Sequence, residues 1–173
     1  MKNAFYAQSG GVTSVINSSA FGLFSELKEK VPEAHIYVGK NGIVGLIEDE
    51  VYDLNKSQKP LDLLLDSPGG MFGSCRYKLP GIEDEKFYQD LFKQLDKYSI
   101  GHFFYNGGND SADTCYKISE AAKKLNYSLN AIAIPKTIDN DLAITDNCPG
   151  FGSVAKYIAT SAKEASLDIK SMC

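Results

Sequence analysis

Residues 4–30 read AFYAQSGGVTSVINSSAFGLFSELKEK. Ala4 to Gln8 is a short apolar run that predicts a strand, and it enters Ser9-Gly10-Gly11 directly. Beyond the glycines, Ile16, Ala20, Leu23, Leu27 and Val31 recur at helical spacing, which predicts a helix over Thr13 to Lys30. Thr13 or Ser14 is placed to cap it. Strand, glycine turn and capped helix form the layout that aims backbone N–H groups and a positive helix dipole at an anion. Taken alone, Ser9-Gly10-Gly11 serves equally well as a plain connection between strand and helix.

The same unit recurs downstream. His35 to Val38 predicts a second strand, with Gly39 to Gly45 as a turn after it. Leu61 to Leu65 is a short helical piece ending at Ser67-Pro68-Gly69-Gly70. Glu83 to Lys97 is amphipathic, with Phe87, Leu91, Leu95 and Tyr98 on one face and Glu83, Asp84 and Glu85 in the first turn. His102 to Tyr105 is a continuous apolar run, which predicts a strand buried on both faces. Gly107-Gly108-Asn109-Asp110 closes it, and a helix follows from about Ser111 with Cys115, Ile118, Ala122 and Leu125 on one stripe. Asn130 to Ile134 predicts another strand, which runs into Pro135 to Asp141. A last helix spans about Gly152 to Asp168, with Val154, Tyr157, Ile158, Ala162 and Ala165 expected to face inward. Alternating strands and helices predict an α/β fold, a mostly parallel sheet with helices on both faces. Ligands bind such sheets at the carboxyl ends of the strands. Ser9 to Gly11, Gly107 to Ser111 and Pro135 to Asp141 should therefore gather on one rim.

Composition narrows the function classes. With 173 residues, 43% of them hydrophobic and 23% charged, the chain suits one globular domain. A formal net charge of −4 argues against nucleic acid or an anionic membrane as partner. Cys75, Cys115, Cys148 and Cys173 lack C-x-x-C spacing, and His35 and His102 are the only histidines, which argues against structural zinc. Scattered cysteines point to a reducing, cytoplasmic location. The first residues lack the apolar core of a signal peptide, and no run reaches the ~18 apolar residues of a membrane span.

Pro135-Lys136-Thr137-Ile138-Asp139-Asn140-Asp141 carries the most chemistry. A cation, a hydroxyl and two carboxylates fall within six residues at a predicted strand end. A carboxylate can take a proton from a hydroxyl, a lysine can hold a phosphate by charge, and a threonine can orient it. In Gly107 to Ser111, Asn109 offers an oxygen or an amide donor, while Asp110 or Ser111 can equally cap the next helix. Arg76 is the only arginine in the chain, suited to bidentate phosphate contacts or to a surface role. No G-x-x-x-x-G-K-[ST] or post-strand G-x-G-x-x-G is present, so a phosphate site here uses other residues.

Together these blocks resemble the phosphofructokinase family. The matching stretches are Ser9-Gly10-Gly11 with Asn17, Gly70 to Arg76 (GMFGSCR), Gly107 to Ser111 (GGNDS), Lys136 to Asp141 (KTIDND) and Phe151-Gly152. The resemblance implies the Rossmann-like large domain of that fold, with residues 1–173 its N-terminal, donor-binding part and the second, sugar-phosphate domain absent from this chain. It implies Asp139 as the base for the sugar C1 hydroxyl, supported by Thr137, Asp141 and Lys136. Donor phosphates would meet Gly10, Gly11, Arg76, Gly108, Asp110 and Ser111. Mg²⁺ is the implied cofactor. Asn109 stands where many members carry a metal-holding aspartate, which puts its own metal contact in question. Asp110 and Lys136 stand where ATP-using members typically carry glycine. This matches the pyrophosphate-dependent type, because a carboxylate crowds the α-phosphate position of ATP and a lysine favours a small, dense anion.

The expected reaction is phosphoryl transfer from pyrophosphate to fructose 6-phosphate in a cytoplasmic homo-oligomer. An ATP-dependent enzyme tolerating Asp110 and a non-catalytic regulatory subunit are the competing readings. Since relatives continue past the last predicted helix, the chain is expected to be inactive alone.

Overall fold

The computed structural model describes residues 2–13 and 15–172. Ser14, one of the two proposed helix caps, and Cys173 lie outside the described residues. Strand β1 (Asn3–Gln8) leads through Ser9 to Gly11 into helix α1 (Ile16–Lys30), and β2 (Ile36–Gly39) follows. Helix α2 (Ile43–Ile47) and strand β3 (Val51–Asp53) precede a 3-10 turn at Leu54–Lys56 and the short helix α3 (Leu63–Asp66). The second half runs α4 (Glu85–Lys97), β4 (Ile100–Gly107), α5 (Asn109–Lys124), β5 (Asn130–Pro135) and α6 (Phe151–Ser171).

The five strands form one sheet in the order β3-β2-β1-β4-β5. Every pairing is parallel except β2 with β3. Alternation along β1 sorts the core into two layers. Phe5 and Ala7 face α2, α4 and α5, joining Leu91, Leu95, Phe103, Tyr105 and Ile118. Ala4 and Tyr6 face α1 and α3, joining Ala20, Phe24, Val38 and Leu64. Helices thus cover both faces of the sheet.

Several local expectations are corrected. The predicted turn over Gly39 to Gly45 contains the start of α2, and the strand β3 carried no apolar signal because it is a three-residue antiparallel edge. Helix α1 begins later than predicted, at Ile16, with Val15 at its cap position and no side-chain cap. Thr13 accepts from Ile16 N–H through its backbone oxygen instead, at 3.2 Å. Helix α4 buries Tyr88 and Phe92 beside Leu91 and Leu95, whereas Phe87 and Tyr98 sit at the margin of that core. Asp84 caps α4 through Phe87 N–H at 3.1 Å.

Helix α6 departs most. None of its residues is buried, and Tyr157 and Ile158, expected inward, are 71% and 58% exposed. Its apolar stripe is present, but no described element packs over it. Strand β5 is likewise largely exposed, although it pairs along its full length with β4.

Gly42 shows how the loops behind the rim are fixed. It has φ +76°, and a Cβ there would fall 2.6 Å from the Gln8 carbonyl oxygen and 2.7 Å from Cys75 Sγ. Gly69, at φ +68°, has nothing within 4 Å of that position. Gly42→Ala should therefore lower unfolding free energy by about 2–5 kcal/mol, combining left-handed backbone strain with overpacking. Gly69→Ala should cost only about 1–2 kcal/mol, from strain alone. Urea unfolding of the two variants checks the difference, and equal losses would contradict it.

Candidate active site

Parallel register brings the three predicted loops together. Gln8 is level with Asn106 across β1 and β4, and Gly107 is level with Pro135 across β4 and β5. Ser9, Gly108 and Lys136 therefore leave neighbouring strand ends on the same rim. A fourth segment joins them. Ser9 bridges to Cys75, Gly10 N–H donates to the Cys75 carbonyl at 2.9 Å, and Ser74 Oγ donates to the Gly10 carbonyl at 2.6 Å. This zipper carries Arg76 to the glycine turn.

Asn17 anchors the same segment from behind. Its Nδ2 donates to the carbonyls of Ser67 and Gly69 at 2.9 and 2.8 Å, and its Oδ1 accepts from Met71 N–H at 3.0 Å. The residue is buried, so its role lies in holding the Gly70 turn and not in meeting a ligand.

A cleft of about 790 Å³ opens where these segments meet. Gly10, Gly11 and Arg76 form one wall. Gly108, Asn109, Asp110 and Ser111 line it from the start of α5, and Lys136, Thr137, Asp139 and Asp141 line it from the loop after β5. Gly10 has φ +77°, a turn that glycine adopts without strain. The turn also lies close to both cations, since a Cβ on Gly10 would lie 3.4 Å from Lys136 Nζ and one on Gly11 would lie 3.4 Å from Arg76 Nη2, each an ordinary contact. Gly108 occupies the cap position of α5 without a side-chain cap, so neither Asp110 nor Ser111 caps it. Both instead lie in its first turn, because the helix starts two residues earlier than the apolar stripe indicated. The N–H groups of Ser111 and Ala112 donate to the Gly108 carbonyl at 3.0 and 3.1 Å, which leaves those of Asn109 and Asp110 for a ligand. Ser111 is buried beneath Gly107.

Lys136 is 6% exposed, and its ammonium donates to the Gly11 carbonyl. Among the described residues neither Lys136 nor Arg76 forms an ion pair, although most other pairs of this chain are surface Lys–carboxylate contacts. Burial, and secondly the nearby Arg76 guanidinium, push the Lys136 pKa below its usual value, against a smaller opposing pull from Asp139. Two adjacent cations without a carboxylate partner, at a glycine turn, make a site that an anion would complete.

The Asp139 loop is held by its own backbone and side chains. Lys136 N–H donates to the Gly107 carbonyl and Thr137 N–H to the Pro149 carbonyl, both at 2.9 Å. Thr137 Oγ1 accepts from Asp139 N–H at 3.1 Å and donates to Asp141 Oδ1 at 3.0 Å. Asn140, at φ 54°, turns its side chain back to accept from Cys148 N–H at 2.9 Å. Among the described residues nothing donates to the Asp139 carboxylate, which is left facing the cleft.

The cleft extends past the residues read from sequence. Tyr77, Lys78, Thr114 and Lys117 line its outer part, and Lys117 pairs with Asp113 at 2.8 Å. Helical spacing from Asp110 could have found Asp113, Thr114 and Lys117 once the start of α5 was known. Cys115 is buried in the core, where desolvation pushes its thiol up to about 11, so it is no nucleophile. No group of three or more His, Cys, Asp or Glu among the described residues is arranged to hold a metal ion. No helix among them is long and apolar enough to cross a membrane.

The family model described as Phosphofructokinase matches residues 3–173. The chain belongs to the phosphofructokinase family. Among relatives in the family, it is 54% identical to the pyrophosphate–fructose 6-phosphate 1-phosphotransferase of Methylococcus capsulatus, over 99% of this chain and 41% of the relative. It is 53% identical to the protein of the same name from Halomonas elongata, over 99% of this chain and 42% of that one. The crystal structure of pyrophosphate-dependent phosphofructokinase from Nitrosospira multiformis superimposes with a TM-score of 0.90 at 51% identity, covering 99% of this chain and 42% of that one. The chain thus spans about two fifths of the length of each of these three relatives.

Proposed function

We propose that this chain is the donor-binding part of a pyrophosphate-dependent phosphofructokinase, which moves a phosphoryl group from pyrophosphate to the C1 hydroxyl of fructose 6-phosphate. The observation that carries this reading is the buried Lys136 ammonium beside Arg76, with no carboxylate partner among the described residues. Pyrophosphate would lie on the Gly10-Gly11 turn and the N-terminus of α5, where its charge offsets both cations. The Asp139 carboxylate, free of internal donors, would take the C1 hydroxyl proton as the hydroxyl oxygen attacks phosphorus. Orthophosphate leaves, and fructose 1,6-bisphosphate forms. Catalysis would come mainly from positioning and charge neutralisation, as is usual in phosphoryl transfer.

Mg²⁺ fits the donor set as an ion bound largely through phosphate oxygens, a binding mode that asks for only one or two protein carboxylates. Asp110 and Asp139 present such carboxylates on the cleft. Asn109 commits its amide Nδ2 to Asp141, which leaves its carbonyl oxygen for a metal-bound water. The ion would supply charge to the leaving phosphate.

Asp110 supports pyrophosphate over ATP, because it sets a carboxylate in the first turn of α5 where a nucleotide would have to extend. The intact protein is expected to turn over faster with pyrophosphate than with ATP. Faster turnover with ATP would refute the donor assignment. The sugar phosphate pocket and a homo-oligomeric assembly, as in the family resemblance, belong to the same proposal. So does a cytoplasmic location, which the free Cys75, Cys115 and Cys148 support.

A further inference from the structure

Asn109 opens α5 at the end of β4, and Asp141 lies in the loop between β5 and α6. Because β4 and β5 are neighbours, level at Gly107 and Pro135, these two side chains meet across the cleft rim. Asn109 Nδ2 donates to Asp141 Oδ2 at 2.7 Å. The other Asp141 oxygen accepts from Thr137 Oγ1 at 3.0 Å, and Thr137 Oγ1 accepts from Asp139 N–H at 3.1 Å. Three bonds therefore run from the first residue of α5 to the backbone of Asp139.

The chemistry of the first bond matters. An amide is a neutral donor, so it satisfies the Asp141 carboxylate directly. A carboxylate in its place would put two anions at hydrogen-bond distance, which repel unless a cation or a shared proton lies between them. Lys136 is not available for that task, since its ammonium is turned to the Gly11 carbonyl.

We propose that Asn109 is a positioning residue whose amide fixes the Asp139 loop by direct hydrogen bonding, so that the loop is ordered without a divalent cation. Any Mg²⁺ then serves the phosphoryl donor and not the loop. The kinetic part of this inference rests on Asp139 being the base. The structural part does not.

The test is amide hydrogen exchange, read by mass spectrometry over residues 136–148 of the intact protein, in EDTA and in MgCl₂, with no phosphoryl donor present. The wild type is expected to show the same protection in both. Asn109→Asp is expected to exchange faster in EDTA and to regain protection in MgCl₂. The swap Asn109→Asp with Asp141→Asn is expected to be protected in both, because it restores an amide–carboxylate pair with the donor reversed. Asn109→Ala should exchange fast in both buffers. It should also lose kcat on the order of tenfold with little change in pyrophosphate KM, the size expected for one charge-assisted hydrogen bond. Wild-type protection that depends on Mg²⁺ overturns the proposal, as does wild-type protection in Asn109→Ala or Asn109→Asp in EDTA. If Asn109→Asp does not fold, the swap and alanine variants decide the matter alone, and failure of the swap to recover protection counts against it. Since neither pyrophosphate nor ATP enters the exchange measurement, an error in the donor assignment would leave its outcome unchanged.

Discussion

Asp139→Ser in the intact protein is expected to lower kcat about 10²–10⁴-fold, the usual contribution of a positioned general base. The fold should survive the change. The backbone N–H of Asp139 is held by Thr137 Oγ1, and among the described residues its carboxylate accepts nothing that serine would forfeit. Unfolding free energy should therefore stay within about 0.5 kcal/mol of the parent, as for other exposed loop substitutions. The KM for pyrophosphate should change little, because the position proposed for the donor is against Gly10, Gly11 and the two cations. Steady-state kinetics beside a urea melt read both quantities. Turnover within tenfold of the parent would remove Asp139 from the role of base, and turnover absent from the parent itself would favour a regulatory subunit.

Lys136→Met is the second large effect. Methionine keeps an unbranched side chain one atom shorter and discards the charge. The variant should lose about 10²–10³-fold in kcat/KM with pyrophosphate, comparable to removing one preorganised donor from developing negative charge. Its stability should differ from the parent in a pH-dependent way. Burial lowers the Lys136 pKa below the ordinary 10.5, so in the folded state the ammonium gives up its proton earlier than in the unfolded chain. Between the lowered pKa and 10.5 the unfolded state binds more protons, and stability gains from this residue as pH rises through that window. Below the lowered pKa the full cost of the buried charge is present. Lys136→Met lacks this gain, so the stability of the parent should improve relative to the variant as pH rises through the alkaline range. Paired urea melts across that range measure it, and an opposite slope would mean that the ammonium is stabilised where it sits.

Much of the architecture was legible because it rests on local patterns. The apolar runs at Ala4 to Gln8, His35 to Val38, His102 to Tyr105 and Asn130 to Ile134 gave all four parallel strands, and glycines marked the ends of the first three. Helix caps were less legible. Thr13, Asp110 and Ser111 have good capping side chains, yet backbone oxygens at Thr13 and Gly108 take the bonds. Strand β3 escaped notice because three residues carry too little periodicity to register. The helix α6 stripe was read correctly as a pattern and wrongly as burial, since burial depends on what lies opposite and periodicity does not report that.

Sequence by itself determined the chemistry available: which residues are acids, cations and glycines, and that they lie at strand ends of an α/β chain. Local spacing decides this, because side-chain alternation and glycine turns act over a few residues. Only the tertiary structure decided how those groups are used. The parallel register of β1, β4 and β5 brings Gly11, Asn109 and Lys136 into one cleft, and the Ser9–Cys75 bridge adds Arg76, all from positions far apart in the chain. It also buries Lys136 beside Arg76 and gives both oxygens of Asp141 to neutral donors while leaving Asp139 free. Desolvation and hydrogen-bond partners are properties of what folding places nearby, and the order of residues along the chain does not state them.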